Sequence, residues 1–306
     1  MVKRVYGIPY KGSKCSIAEQ LVARLPKGQR FCDACCGGGA VFHVALASGK
    51  YDSIEAFDVN YGVTNLLSTA LRRHIDVPVC LVTREEFLEK KKRFGTKDET
   101  LDDTMVRYTH TFGYNGEDYL WGVGSMDYKY LLHNVVAKET MNDRRETLRD
   151  FFTKLDKDNP GDKVTLTKRL LNNWKHQELA NNICRLQNVL DDIHELYLKR
   201  PIPVYVGKMS LFDLDYSRYD VIYFDPPYRN TKGYRVDFDF EKFDKLLARL
   251  KGMGKDVFVS EYSDIDGYTC VAKFAKCQSV CATKNVGVIE KLLYSGSPER
   301  YISLVD

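Results

Sequence analysis

Asp225-Pro226-Pro227-Tyr228 is the stretch whose residue types say most about chemistry. The carboxylate accepts hydrogen bonds, and the two prolines offer no backbone N–H and hold the chain extended. The Tyr228 phenol adds a flat face. An acid, carbonyls with no competing amide and an aromatic plate suit a planar heterocycle that bears an exocyclic amine. Accepting both amine hydrogens draws the nitrogen lone pair out of conjugation, so the amine becomes a better nucleophile. The same four residues also read as a stiff turn after a core strand.

Other stretches could complete a site. Tyr10-Lys11-Gly12-Ser13-Lys14 could present backbone N–H groups, the Lys14 ammonium and the Tyr10 ring to a charged ligand. The competing reading is a helix-capping loop with a solvated lysine. Asp33-Ala34-Cys35-Cys36-Gly37-Gly38-Gly39 is a glycine-rich turn at a strand end, where backbone can approach a ligand closely. Phe42 stands where a nicotinamide dinucleotide fingerprint wants its third glycine. Asp33 would repel a pyrophosphate there, yet could engage a cation or an amine. Asp58 ends a second strand about 20 residues on, the place of an acid that hydrogen-bonds ribose hydroxyls; a strand-ending turn residue is the plainer alternative. The loop Lys208 to Asp213 could set Leu211 or Phe212 against a ligand ring.

Positioning these groups requires a sheet. Val221 to Phe224 is an unbroken apolar run, the pattern of a strand buried on both faces. Arg30–Asp33, Ser53–Asn60, Val204–Val206 and Asp256–Tyr262 read as further strands, and Val286–Tyr294 as a closing strand pair. Ile17, Leu21 and Leu25 mark a helix with Ser16 as its N-cap and Pro26 as its stop. Helices also fall at Ala40–Ala47, at Asn65–Arg72 and at Phe240–Leu250, the last closed by Gly252 and Gly254. From about Thr64 to Pro201 the alternation stops. That stretch holds a basic run at Lys90–Arg93, an aromatic and glycine-bearing segment from Arg107 to Gly122, a basic face from Lys163 to Trp174 and a long helix through Leu179, Ile183, Leu186 and Leu190. Its opposite charges nearly cancel and give no global footprint for nucleic acid. The other reading of this stretch is a solvated helical subdomain.

A chain of 306 residues can bury a sizeable core as one large domain or two smaller ones. The net charge of +4 permits a polyanionic partner without demanding one. No apolar run reaches the roughly 18 to 20 residues of a membrane span, and Met1 to Val5 leads into no signal-like core. The expectation is a cytoplasmic protein without membrane association. Nine cysteines, an odd count, point to reduced thiols rather than disulfides or a metal site.

The order of the motifs then carries a resemblance. Tyr10–Lys14, Asp33-Ala34-Cys35-Cys36-Gly37-Gly38-Gly39-Ala40-Val41-Phe42, Phe57-Asp58-Val59-Asn60, an insert and Asp225-Pro226-Pro227-Tyr228 resemble the N6-adenine DNA methyltransferases, with the motif order of the Dam-like members. The loop Phe112-Gly113-Tyr114-Asn115-Gly116 with Tyr119 and Gly122 resembles phage-type members. The resemblance implies an α/β fold, a Rossmann-like S-adenosylmethionine-dependent sheet with helices on both faces. Its halves would be residues 1–75 and 200–306, and a mostly helical target-recognition insert would fill 76–199. It also implies roles. Tyr10 and Lys14 match the N-terminal motif that contacts S-adenosylmethionine, and Asp33, Gly37 and Gly39 the wall around its methionine part. Asp58 would hold the ribose hydroxyls, and Leu211 or Phe212 would flank the cofactor adenine. Asp225 and Tyr228 would hold and stack the target adenine, with Pro226 offering a carbonyl and Pro227 completing the catalytic motif. Cys35 stands where the family more often has an aromatic residue.

The implied partners are S-adenosylmethionine, leaving as S-adenosylhomocysteine, and double-stranded DNA with a target adenine. No metal and no obligate protein partner are implied. An N4-cytosine or RNA amino-methyltransferase and a catalytically silent nucleic-acid binder remain as alternatives. A nicotinamide-dependent oxidoreductase fails on the missing glycine.

Overall fold

In the computed structural model, residues 4–78, 81–122, 178–229, 238–279 and 285–305 are described. The chain divides into two units. Residues 1–8, 12–74 and 191–306 form the first, and residues 9–11 with 75–190 form the second. The helices are α1 (Ala18–Arg24), α2 (Ala40–Ser48), α3 (Tyr61–Arg72), α4 (Arg84–Lys91), α5 (Leu101–Thr109), α6 (Glu178–Lys199), α7 (Phe240–Gly252) and α8 (Pro298–Val305). None of them is long and apolar enough to cross a membrane.

The first unit is built on a seven-stranded sheet of β1 (Gly28–Asp33), β2 (Tyr51–Asp58), β3 (Val204–Lys208), β4 (Val221–Phe224), β5 (Asp256–Glu261), β6 (Thr269–Ser279) and β7 (Asn285–Tyr294). Their order is β3-β2-β1-β4-β5-β7-β6. Neighbours among the first five strands pair parallel, while β7 runs antiparallel to β5 and β6. All four residues of β4 are buried, as a central parallel strand covered on both faces requires. On α7, Phe243, Leu246, Leu247 and Leu250 fall at helical spacing and join Ile222, Phe224, Val257 and Val259 in one apolar cluster.

Several local expectations need correcting. Ser16 does not cap α1; Ile17 holds that place, and the Lys14 carbonyl accepts from the Ile17 and Ala18 N–H groups at 2.9 and 2.8 Å. A backbone turn thus satisfies the orphan donors that a side chain was expected to meet. Past α7, the left-handed residue is Gly254 (φ 70°), whereas Gly252 still lies in the helix. The closing strand pair is the antiparallel hairpin of β6 and β7; Val286–Tyr294 all lies in β7, and β6 precedes it at Thr269–Ser279.

The N-terminal segment is fastened to the glycine-rich turn. The Ile8 N–H donates to the Gly38 carbonyl at 2.8 Å, and the Gly7 N–H to His43 Nδ1 at 3.3 Å. The far nitrogen of the His43 ring bonds Asp192, 2.9 Å away, which also pairs with Arg4 at 2.8 Å. Burial lowers the His43 pKa, against the pull of Asp192, which suits the neutral ring that accepts from Gly7. Gly7 has φ 73°, and a Cβ there would come within 2.7 Å of the Ala40 backbone.

In the second unit, capping boxes start α4 (Thr83 with Glu86) and α5 (Thr100 with Asp103). The basic run at 90–93 is internally paired rather than a free patch. Lys90 meets Asp102, Lys92 meets Glu89 at 2.6 Å, and Arg93 meets Asp103 at 2.5 Å. Burial works against the Asp103 charge, but the bonds from Arg93 and Thr100 outweigh it and hold its pKa down to about 2. After α5 the chain turns through 112–116, where Tyr114 takes φ 58°. Its hydroxyl donates to Asn182 at 3.0 Å, and Arg185 lies 5.4 Å over its ring. The basic face expected at 163–174 lies outside the described residues.

Gly7→Ala should therefore lose about 2 kcal/mol or more of stability in urea unfolding, through left-handed strain plus the backbone clash. Gly95→Ala serves as the comparison. Its φ is 80°, but a Cβ there meets nothing within 4 Å, so its loss should be about half as large.

Candidate active site

Strands β1 and β4 lie side by side, with Asp33 opposite Tyr223 and the Ala34 N–H donating to the Tyr223 carbonyl at 3.0 Å. The strand order reverses between them, and open α/β sheets bind ligands in the crevice at such a reversal. Asp33 ends β1, and Asp225 follows directly on β4. The two acids therefore share one edge of the sheet. Burial, then the charges of Asp225 and Asp58, push the Asp33 carboxyl well above the usual carboxylate range. The backbone amides of Phe42 and Cys35 act the other way and lose. No donor among the described residues makes a well-formed hydrogen bond to either Asp33 oxygen.

One wall of the crevice is made by the glycine-rich turn and the end of β2. The Gly37 N–H donates to Asp58 Oδ2 at 2.9 Å, and the Asn60 N–H to Oδ1 at 2.8 Å. Gly39, with φ 72°, starts α2, and a Cβ there would press to 2.8 Å from Leu67. The Met209 N–H donates to the Asp58 carbonyl at 3.1 Å and brings the loop after β3 alongside. Within that loop Leu211 is buried in the core, and its carbonyl accepts from the Tyr216 hydroxyl at 2.6 Å. Phe212 stays half-buried, with the Lys242 ammonium 4.5 Å over its ring. Phe212 rather than Leu211 thus keeps an accessible face. Cys35 is half-buried, and its thiol is pushed well up by burial and by the nearby Asp58 and Asp225 charges, so it stays protonated.

The other wall contains a group read differently from sequence. Lys14 is not solvated; it is 3% exposed. Its ammonium stands 2.6 Å from Asp225 Oδ1, 3.7 Å from Glu290 Oε1 and 4.8 Å from the Tyr228 ring centre. Tyr228 is buried and meets Tyr262 at a ring separation of 4.2 Å and an angle of 60°. Burial first, then the charges of Asp225 and Glu290, raise the Tyr228 phenol pKa, so it remains neutral. Pro226 and Pro227 carry the chain from β4 to Tyr228 as irregular backbone. Glu261 at the end of β5 then accepts the N–H groups of Arg229 at 3.3 Å and Tyr262 at 2.8 Å, fixing both sides of the tyrosine pair. Behind them the Tyr223 hydroxyl bonds Ser260 at 2.8 Å.

The structure thus gathers Lys14, Asp33, Cys35, Gly37, Gly39, Asp58, Phe212, Asp225 and Tyr228 on the first unit, along the ends of β1, β2 and β4 and the loop after β3. Tyr10 is described in the second unit, where its ring lies 5.5 Å from that of Tyr108. Sequence reasoning missed Glu261, Tyr262 and Glu290. The available signal was a glutamate inside the apolar run from Val286 to Leu293, and another ending an apolar strand.

Comparison with known proteins follows this geometry. A family model described as D12 class N6 adenine-specific DNA methyltransferase matches residues 10–251. No curated protein matches. A crystal structure of SMU.472, named as a methyltransferase and complexed with SAH, matches at 18% identity with a TM-score of 0.20. That match spans 42% of this chain and 36% of the other. The sheet, with its single antiparallel strand β7, is the Rossmann-like sheet of S-adenosylmethionine-dependent methyltransferases. The chain belongs to the D12 class N6 adenine-specific DNA methyltransferase family, whose members are S-adenosylmethionine-dependent transferases.

Proposed function

We propose that this chain transfers a methyl group from S-adenosylmethionine to the N6 amine of an adenine flipped out of duplex DNA, leaving S-adenosylhomocysteine. One observation carries the proposal: Asp33 and Asp225 end adjacent parallel strands at the reversal of the sheet. A ligand held against β1 there adjoins a base held by the chain leaving β4.

The donor set fits a cationic cofactor. Asp33, Asp58, Asp225 and Glu290 put several carboxyl groups along this edge, with the Lys14 ammonium beside Asp225 and Glu290. Asp33 has the highest demand for a cation, because burial and two neighbouring acids oppose its ionisation. Asp33, Gly37 and Gly39 would surround the methionine part, with Cys35 leaving more room than an aromatic ring. Asp58 keeps lone pairs for ribose hydroxyls beyond its two amide bonds, and Phe212 offers the ring face for the cofactor adenine. Lys14 completes the set by resemblance to the family's N-terminal motif. When bound, the cofactor supplies a methyl group already activated by its sulfonium.

The protein's own work is to hold the amine. An adenine in duplex DNA has its amine hydrogen-bonded, so it must leave the stack at a cost of a few kcal/mol. Stacking on Tyr228 offsets part of this, at about 1–3 kcal/mol per base. Asp225, with the carbonyl beside Pro226 and Pro227, accepts the amine hydrogens and stabilises the positive charge that develops on nitrogen. Holding that nitrogen in line supplies a further part of the acceleration. Methylation makes the amine nitrogen cationic and acidic, so its proton leaves to solvent after transfer. The second unit, with its loop at 112–116, would read the DNA sequence.

Asp225→Ala should lower methyl transfer by at least about 100-fold while S-adenosylhomocysteine affinity stays within tenfold. Unchanged turnover in that variant rejects the proposal. Nucleoside chromatography of the product DNA should yield N6-methyladenine; N4-methylcytosine would reassign the base.

Asp33 gives a pH signature of its own. Its folded pKa is raised, so the stability it contributes is full below the unfolded value, near 3.9, and is lost as pH rises through the folded value. Asp33→Asn removes that loss. The ligand-free variant should melt above the wild type at pH 7–8, with the gap opening upward from about pH 4, yet bind S-adenosylmethionine more weakly. Melting curves across pH and a binding titration check both halves.

A further inference from the structure

Lys14 stands where a target base would be served. Its ammonium takes Asp225 Oδ1 at 2.6 Å and lies 4.8 Å over the Tyr228 ring, and these are the two groups assigned above to the adenine amine and the adenine face. An incoming base therefore competes with Lys14 for both. A buried ammonium that loses its carboxylate needs another anion within reach, because an uncompensated buried charge is strongly unfavourable. Glu290 is that anion. It is fully buried on β7, opposite Phe274 of β6, with Oε1 3.7 Å from Lys14 Nζ. The distances rank the two partners, since Asp225 is in hydrogen-bond contact and Glu290 sits just beyond it. Neither strand geometry nor core packing calls for a glutamate there, because its β7 neighbours Leu292 and Leu293 are buried aliphatics.

We infer that Glu290 is a positioning residue for the target base. It receives the Lys14 ammonium when the base arrives and so frees Asp225 and the Tyr228 face. This rests on the function proposed above and adds to it the step that opens the base pocket. With glutamine at 290 the shape remains but the receiving charge is gone, so Lys14 stays committed to Asp225 and the base enters against it.

The test compares Glu290→Gln with the wild type on a duplex carrying the modified site found by sequencing DNA from cells that express the chain. KM for that duplex should rise about tenfold. The fluorescence rise of 2-aminopurine placed at the target position, read without turnover, should fall to less than half. Affinity for S-adenosylhomocysteine, and for the same duplex with an abasic target, should stay within twofold. A merely structural role would weaken all four together. Should the glutamine variant not fold, Glu290→Asp keeps the charge but moves it away from Lys14, and the same split is expected at about threefold in KM. Equal loss in every measurement, or no change in KM and fluorescence, overturns the inference and leaves the proposed function standing. A wild-type chain that methylates no DNA overturns both.

Discussion

The Lys14–Asp225 contact is the interaction on which the site depends. It joins a lysine just ahead of α1 to the residue that leaves β4, and it does so with the ammonium almost wholly withdrawn from water. Buried ion pairs are weak contributors to stability, because desolvation consumes most of the Coulomb gain. Breaking one partner is nevertheless expensive, at about 3–5 kcal/mol. Such a pair fixes a geometry far more than it stabilises a fold. Here the fixed geometry is that of the chain leaving β4, and the Lys14 carbonyl, which starts α1, ties the lysine backbone to the fold at the same point.

The remaining constraint is electrostatic crowding. Asp33 and Asp225 end up together because β1 and β4 are neighbours in a parallel sheet, where every strand terminates at the same edge. Nothing in the apolar core requires acids at those positions, and their mutual repulsion raises the cost of ionising Asp33. The protein accepts this because the core beneath is made of large buried apolar residues such as Phe31, Phe57, Tyr223 and Phe224. Like-charged groups held close on a rigid sheet store unfavourable energy in the free protein, and a cation bound between them relieves it.

How much was legible in the sequence follows from how each segment meets water. Strand β4 could be read to the residue because it is buried on both faces and flanked by polar ends. Strand β6 could not. Thr269–Ser279 lies at the edge of the sheet and mixes Lys273, Lys276 and Gln278 into its apolar residues, as edge strands do. Helices α4 and α5 were hidden for a related reason, since α4 buries only Phe87 and carries charges almost throughout, and capping boxes rather than apolar periodicity define its start. Asp33 and Asp58 were visible because they end strands, and Asp225 because it follows one directly and is followed by two prolines. Glu290 was a weaker signal, because a glutamate inside an apolar run gains a role only once Lys14, from a distant part of the chain, is known to lie beside it.

Lys14 shows why that last class of residue escapes a linear reading. Its neighbours in sequence are Ser13, Cys15 and Ser16, polar or small, and such a setting says solvent. Its neighbours in space are a carboxylate from the end of β4, a glutamate from β7 and a tyrosine ring, drawn from three distant parts of the chain. The charge of a residue is local information, whereas the dielectric around it is set by topology. Sheet order alone places β7 beside β5 and β5 beside β4, so β7 reaches the same flank of the sheet as the Asp225–Tyr228 segment. In this fold, then, an acid on the antiparallel strand comes beside Lys14 and the segment leaving β4 through the order of the strands.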